Sequence, residues 1–144
     1  MKDGKLIGSE LIGQKFDSSI YFWSRPSAID YNPVPSGASN FGPTSNKLKK
    51  QVSERQASFA ARNSITDITA IPKEMIFASA SGLDPHISLA AALYQAGRIS
   101  RVRHLPIEKV QQLISEYSEG MLLGFLGEPR VNVLALNLAL DAAH

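Results

Sequence analysis

The chain has no cysteine, which excludes a disulfide framework and any thiolate metal site. It also lacks a run of roughly 18 apolar residues, the length a membrane-spanning helix needs, and its first residues, Met-Lys-Asp-Gly-Lys, have no apolar signal region. By itself it reads as water-soluble. A basic block of the kind that grips nucleic acid is missing too: 15 Lys and Arg stand against 13 Asp and Glu, scattered from Lys2 to Arg130. The local clusters at Lys47, Lys49 and Lys50, and at Arg98, Arg101 and Arg103, fall within or at the end of expected helices. They read as solvated faces or as favourable charge near a helix C-terminus. Hydrolase chemistry is equally poorly supplied, with no G-x-S-x-G elbow, no S-x-x-K, and only His86 and His104 before the terminal His144.

What is present is enough apolar residue, 44% of 144, for one core and one domain spanning the whole chain. From Gly8 to Trp23 short apolar pairs and the strand-forming Tyr21, Phe22 and Trp23 predict strands or extended chain. Arg25 to Pro43 holds four of the eight prolines and reads as a long turn-rich loop. A helix is expected from about Ser45 to Arg62, with Leu48, Val52 and Phe59 on its buried side and Asn63 as its stop. Ile65 to Ile71 is ambiguous, and Pro72 is placed to open a short helical turn through Phe77.

The strongest local pattern is a helix capped by Ser88 and running to about Arg103, with Leu89, Ala92, Leu93, Ala96 and Ile99 as its buried stripe. Pro106 opens the next helix, with Ile107, Val110, Leu113, Ile114 and Tyr117 at helical spacing until Gly120. Glu108, Glu116 and Glu119 belong to its solvated side or end. Leu134, Leu136, Leu138 and Leu140 occupy alternate positions, which predicts a strand paired with Met121 to Leu126 across the Gly127-Glu128-Pro129 turn. Strands near both ends, mixed or antiparallel, around three main helices make the expected class α+β.

Two segments invite a chemical reading. Gly37 to Thr44 has the glycine spacing of a phosphate loop but carries Pro43 where the lysine belongs, so it reads as turn-forming. Ser79 to Ser88 brings hydroxyls, Gly82, Asp84 and His86 to a helix start, a place that can hold an anion or metal. No second His or acid falls at ligand spacing. Asp84 is therefore expected to close a turn on its own backbone, His86 to pack or hydrogen-bond, and no metal or tightly bound cofactor is expected.

In order along the chain, several segments resemble the C subunit of the Kdp potassium-transporting ATPase. They are Gly8 to Gln14, Tyr21-Phe22 with Arg25 to Ala28, Tyr31-Asn32, Ser36 to Asn40, Ser79 to Ser88, Gln95 with Arg98, Val131-Asn132, and Leu136 to Asp141. Singly each is weak; in this order they are specific, and they run from Gly8 to Asp141. Ala38 and Ala80 are small departures. Members of that family begin with a transmembrane helix, which is missing here.

The resemblance implies an accessory, non-catalytic subunit of an ATP-driven potassium pump in the bacterial inner membrane. Its partners would be a channel-like potassium-binding subunit, a P-type ATP-hydrolysing subunit and a small membrane subunit. Two roles attach to the family: a catalytic chaperone that raises ATP affinity, with a glutamine matching Gln95 as the nucleotide contact, and an extracytoplasmic domain beyond the reach of ATP. Gln95 and Arg98, three apart on one helix face, are the candidate ATP contact, against the plainer reading that Gln95 bonds a neighbouring loop or faces water. Arg25, Ser27, Tyr31, Asn32, Ser36 and Asn40 in the turn-rich loop, with Ser81, Gly82, Asp84 and His86 at the junction, are the candidate partner contacts. The alternative is a free-standing nucleotide- or metabolite-binding domain.

Overall fold

A computed structural model describes residues 11–27, 30–31, 45–79, 83–120 and 128–143. Helix α1 (Asn46–Asn63) starts where the Ser45 side chain accepts a bond from the Leu48 amide, and it ends on Ser64 in the left-handed region, φ 57°. Two short 3₁₀ turns follow, Ile68–Ala70 and Lys73–Met75, the second opened by Pro72 as its fixed φ favours. Strand β1 (His86–Ser88) runs directly into α2 (Leu89–Arg103), and Ser88 caps α2 by accepting from the Ala91 amide. Helix α3 (Ile107–Glu116) leads into the two-residue strand β2 (Ser118–Glu119), and β3 (Arg130–Asn132) runs into α4 (Val133–Ala142).

The three short strands form one antiparallel sheet in the order β1-β3-β2, with Ile87 opposite Val131 and Ser118 also opposite Val131. The class is α+β as expected, with a different distribution of elements. Leu134 to Leu140 is not a strand: it lies in α4, which Asn132 caps by accepting from the Ala135 amide. Alternation misled because the segment is apolar nearly throughout. A helix buried among other elements needs no polar face, and the buried Val133, Leu136, Asn137 and Leu140 follow helical spacing. The partner proposed for that strand, Met121 to Leu126, and the Gly127 end of its turn lie outside the described residues.

Two smaller corrections concern helix faces. Leu93 is exposed, while Gln95, Arg98 and Arg103 take buried places on α2; the arginine cluster is thus only partly a solvated helix end. Tyr117 is exposed because α3 stops at Glu116, short of Gly120. Residues 11–27 carry no strand; a single parallel bridge joins Ser27 to Ser79. Even so, Phe22 and Trp23 belong to the main core cluster, with Phe59, Ile71, Met75, Ile87, Ile99, Ile114, Val131 and Leu136.

Candidate functional site

Chain that enters a core without a strand ladder must find partners for its backbone N–H and C=O groups; the Tyr21 amide closes a turn on the Ser18 carbonyl at 3.2 Å, and the carbonyls of residues 19–23 with the amides of Phe22 and Trp23 find side chains. Asn137, on α4, accepts from the Phe22 amide at 2.8 Å and donates to the Phe22 carbonyl at 3.0 Å. Gln95, on α2, repeats the pairing one residue on, accepting from the Trp23 amide at 2.8 Å and donating to the Trp23 carbonyl at 3.2 Å. Successive residues of extended chain turn these groups to opposite sides, so clamps from two different helices suit adjacent residues.

Arginines complete the clasp. Arg98 donates to the carbonyls of Ser19 and Tyr21, to Asn63 Oδ1 at 3.0 Å and to Gln95 Oε1 at 2.9 Å. Its carbon Cζ lies 4.0 Å from the Trp23 ring centroid. Burial, and next the nearby Arg62 charge, push the Arg98 pKa down to about 10. Arg103 donates to the Ile20 carbonyl at 2.8 Å and pairs with Asp141 at 2.7 Å, and Tyr21 donates to the other Asp141 oxygen at 3.1 Å.

The two residues expected to meet nucleotide are therefore brought together, but inside the protein. Gln95 is 0% and Arg98 2% exposed, and both Gln95 amide atoms are engaged with the chain itself. An asparagine within a leucine-rich run and a glutamine three residues before an arginine were the sequence signals for the clasp; nothing in the sequence said that its target was backbone.

Five of the candidate partner contacts form a second constellation. Arg25 pairs with Asp84 at 2.9 Å, Tyr31 donates its hydroxyl to the Arg25 carbonyl, and Ser27 Oγ accepts from the Tyr31 amide at 3.0 Å. Asp84 accepts from the His86 amide at 3.1 Å, the local turn expected of it. The His86 ring lies 3.8 Å from Asp84 and 3.7 Å from Glu119 on β2. Burial, with help from the Asp30 charge, pushes the Tyr31 phenol up to about 12. Asn32, Ser36, Asn40, Ser81 and Gly82 lie outside the described residues, as does the Gly37 to Thr44 loop.

Beside the clasp an open cleft of about 440 Å³ lies between α1 and the 16–26 segment, lined among others by Phe16, Trp23, Phe59, Arg55 and Arg62. Among the described residues no group of three or more His, Cys, Asp or Glu is placed to hold a metal, and no helix is long and apolar enough to cross a membrane.

Residues 1–142 match the family model described as KdpC: K+-transporting ATPase, c chain. The chain is 54% identical over 145 residues to the potassium-transporting ATPase KdpC subunit of Methylococcus capsulatus, covering 98% of this chain and 75% of that protein. It is 52% identical over 147 residues to the KdpC subunit of Burkholderia cenocepacia, covering 99% and 75%. For the KdpC subunit of Gloeobacter violaceus the figures are 51% over 137 residues, covering 95% and 71%. Tyr21, Phe22, Gln95, Arg98, Asn137 and Asp141 of the clasp lie in segments that carried the resemblance, and the chain belongs to the KdpC family of K+-transporting ATPase subunits.

Proposed function

We propose that the chain is an accessory subunit with no reaction of its own, which supports assembly of a potassium-transporting ATPase and raises the ATP affinity of the hydrolysing subunit through protein contact, without ligating nucleotide. The partners are the channel-like, P-type and small membrane subunits. In this reading the domain sits at the bacterial inner membrane on its extracytoplasmic side, held by a single N-terminal helix in the longer protein. A chaperone that acts through contact has no need to reach cytoplasmic ATP.

The observation carrying this reading is that Gln95 and Arg98 spend their polar groups on Trp23, Tyr21, Ser19 and Asn63. Binding a phosphate or purine edge there would first require those bonds to break, leaving buried backbone groups unpaired at about 1–3 kcal/mol each. Titrating isotope-labelled protein with magnesium-ATP tests it. The expected result is no saturable shift of the Gln95 side-chain amide or the Arg98 guanidinium signals. Saturable shifts at micromolar ATP would overturn it and favour direct nucleotide contact or the free-standing binding domain.

A further inference from the structure

A turn and two strands bring one histidine between two carboxylates. Ile87 and Val131, opposite each other on β1 and β3, are buried. Side chains alternate along a strand, so His86 with its opposite number Asn132, and Arg130 with its opposite number Glu119, belong to the other face of the sheet. His86 thus reaches diagonally across β3 toward β2, and its Nε2 lies 3.7 Å from Glu119 Oε1. On the far side of the ring, Nδ1 lies 3.8 Å from Asp84 Oδ1. That oxygen also accepts from the His86 amide, while Asp84 Oδ2 pairs with Arg25.

An uncharged imidazole carries a single N–H, so it can donate to only one of these acids and must turn a lone pair toward the other. A second proton puts a donor at each end and a positive charge between two negative ones. Both separations lie just beyond hydrogen-bond length, so the ring stands where one added proton closes two contacts. Three other charged groups bear on this face. Arg25 is held by Asp84, Glu74 in the second 3₁₀ turn holds the Ser88 amide and hydroxyl, and Arg130 lies directly opposite Glu119 as the competing cation.

We infer that His86 is a proton-operated tie between the Asp84 turn and β2. With both ring nitrogens protonated it pairs with Asp84 and Glu119 at once, and the turn that seats Arg25 is fastened to the far strand of the sheet. When the ring loses that proton the tie opens, and the turn keeps only its bonds to Arg25 and the His86 amide. Imidazole is the side chain that ordinarily changes charge between pH 5 and 8, so the tie strengthens the fold in mild acid and is lost as pH rises. Arg25, Asp84 and His86 are all candidate partner contacts, and the tie makes the firmness of that surface depend on proton concentration. It is a property of the chain alone and stands or falls separately from the accessory role.

The side chains of His86, Asp84 and Glu119 are 22%, 32% and 60% exposed, so water screens the charges in part and the expected effect is modest. Urea unfolding of the full chain tests it at pH 5.5 and 8.5, comparing the native protein with Glu119→Gln, His86→Gln and the double variant. In this cycle the contributions of Arg130 and of the other titrating groups cancel. The His86–Glu119 coupling is expected to favour folding about three-fold at pH 5.5, to weaken as salt rises, and to vanish at pH 8.5. Should His86→Gln fail to fold, Glu119→Gln carries the test by itself, with a loss relative to the native protein about three-fold larger at pH 5.5 than at pH 8.5. A coupling or loss that is equal at the two pH values, absent at pH 5.5, or indifferent to salt would overturn the inference.

Discussion

A glutamine that binds ATP and a glutamine that holds its own backbone make opposite predictions for the folded protein without ligand. Gln95 supplies one acceptor and one donor to Trp23 and a further acceptor to Arg98. Gln95→Ala leaves a buried N–H and C=O unpaired, and is expected to cost about 2–4 kcal/mol, read by urea denaturation with the Trp23 amide losing hydrogen-exchange protection. A surface ligand residue would lose little. Asn137→Ala, which strips Phe22 of both its partners, should cost a similar amount and expose Phe22 first. The face shared by Gln95 and Arg98 was legible from their spacing. Burial of that face was not, because an amide and a guanidinium ordinarily mark the wet side of a helix, and the backbone groups that satisfy them here lie 72 to 79 residues away in sequence, with Asn63 35 away.

Elements with a capping residue and a polar face were readable nearly to their ends. Ser45 and Ser88 start α1 and α2 as their side chains suggest. The stops at Asn63 and Arg103 fall within a residue of where they were expected, although left-handed residues close both helices without glycine: Ser64 at φ 57° and His104 at φ 56°. Glycine relieves the strain of that conformation. His104 is exposed, so His104→Gly is expected to raise stability by about 0.5–1 kcal/mol, measured by thermal or urea unfolding. The opposite sign is expected at Gly13, where an added Cβ would sit 2.6 Å from the Asp84 carbonyl oxygen. Gly13 also donates its amide to the Leu83 carbonyl at 2.7 Å. Gly13→Ala must push the two backbones apart, at about 1–3 kcal/mol, and a crystal structure of the variant would show residues 12–14 displaced. Helix α4 was misread for a different reason: four leucines at alternate positions satisfy a strand's period, and only the Asn132 cap and the burial of Asn137 distinguish the helix.

At the scale of the whole molecule, residues 19–23 behave as a strap laid across α2 and α4 and tied down by side chains. Sheet ladders leave a period in the sequence; a strap of this kind does not, which is why the class α+β could be read while the route of residues 11–27 could not. The Tyr31 hydroxyl closes back on the Arg25 carbonyl just after the strap, beside the Arg25–Asp84 pair. Burial first, then Asp30, holds the phenol un-ionised up to about 12, whereas in the unfolded chain it ionises near 10. The folded state therefore binds the proton more tightly. The contribution is complete below pH 10 and is lost progressively as pH rises from 10 toward 12. Tyr31→Phe has no phenol to ionise, so native stability minus that of the variant should be constant from pH 7 to 9.5 and should fall above it, with the phenolate absorbance of one tyrosine delayed in the native protein. A difference that stays flat to pH 11.5 would place the Tyr31 hydroxyl in water, away from the Arg25 carbonyl.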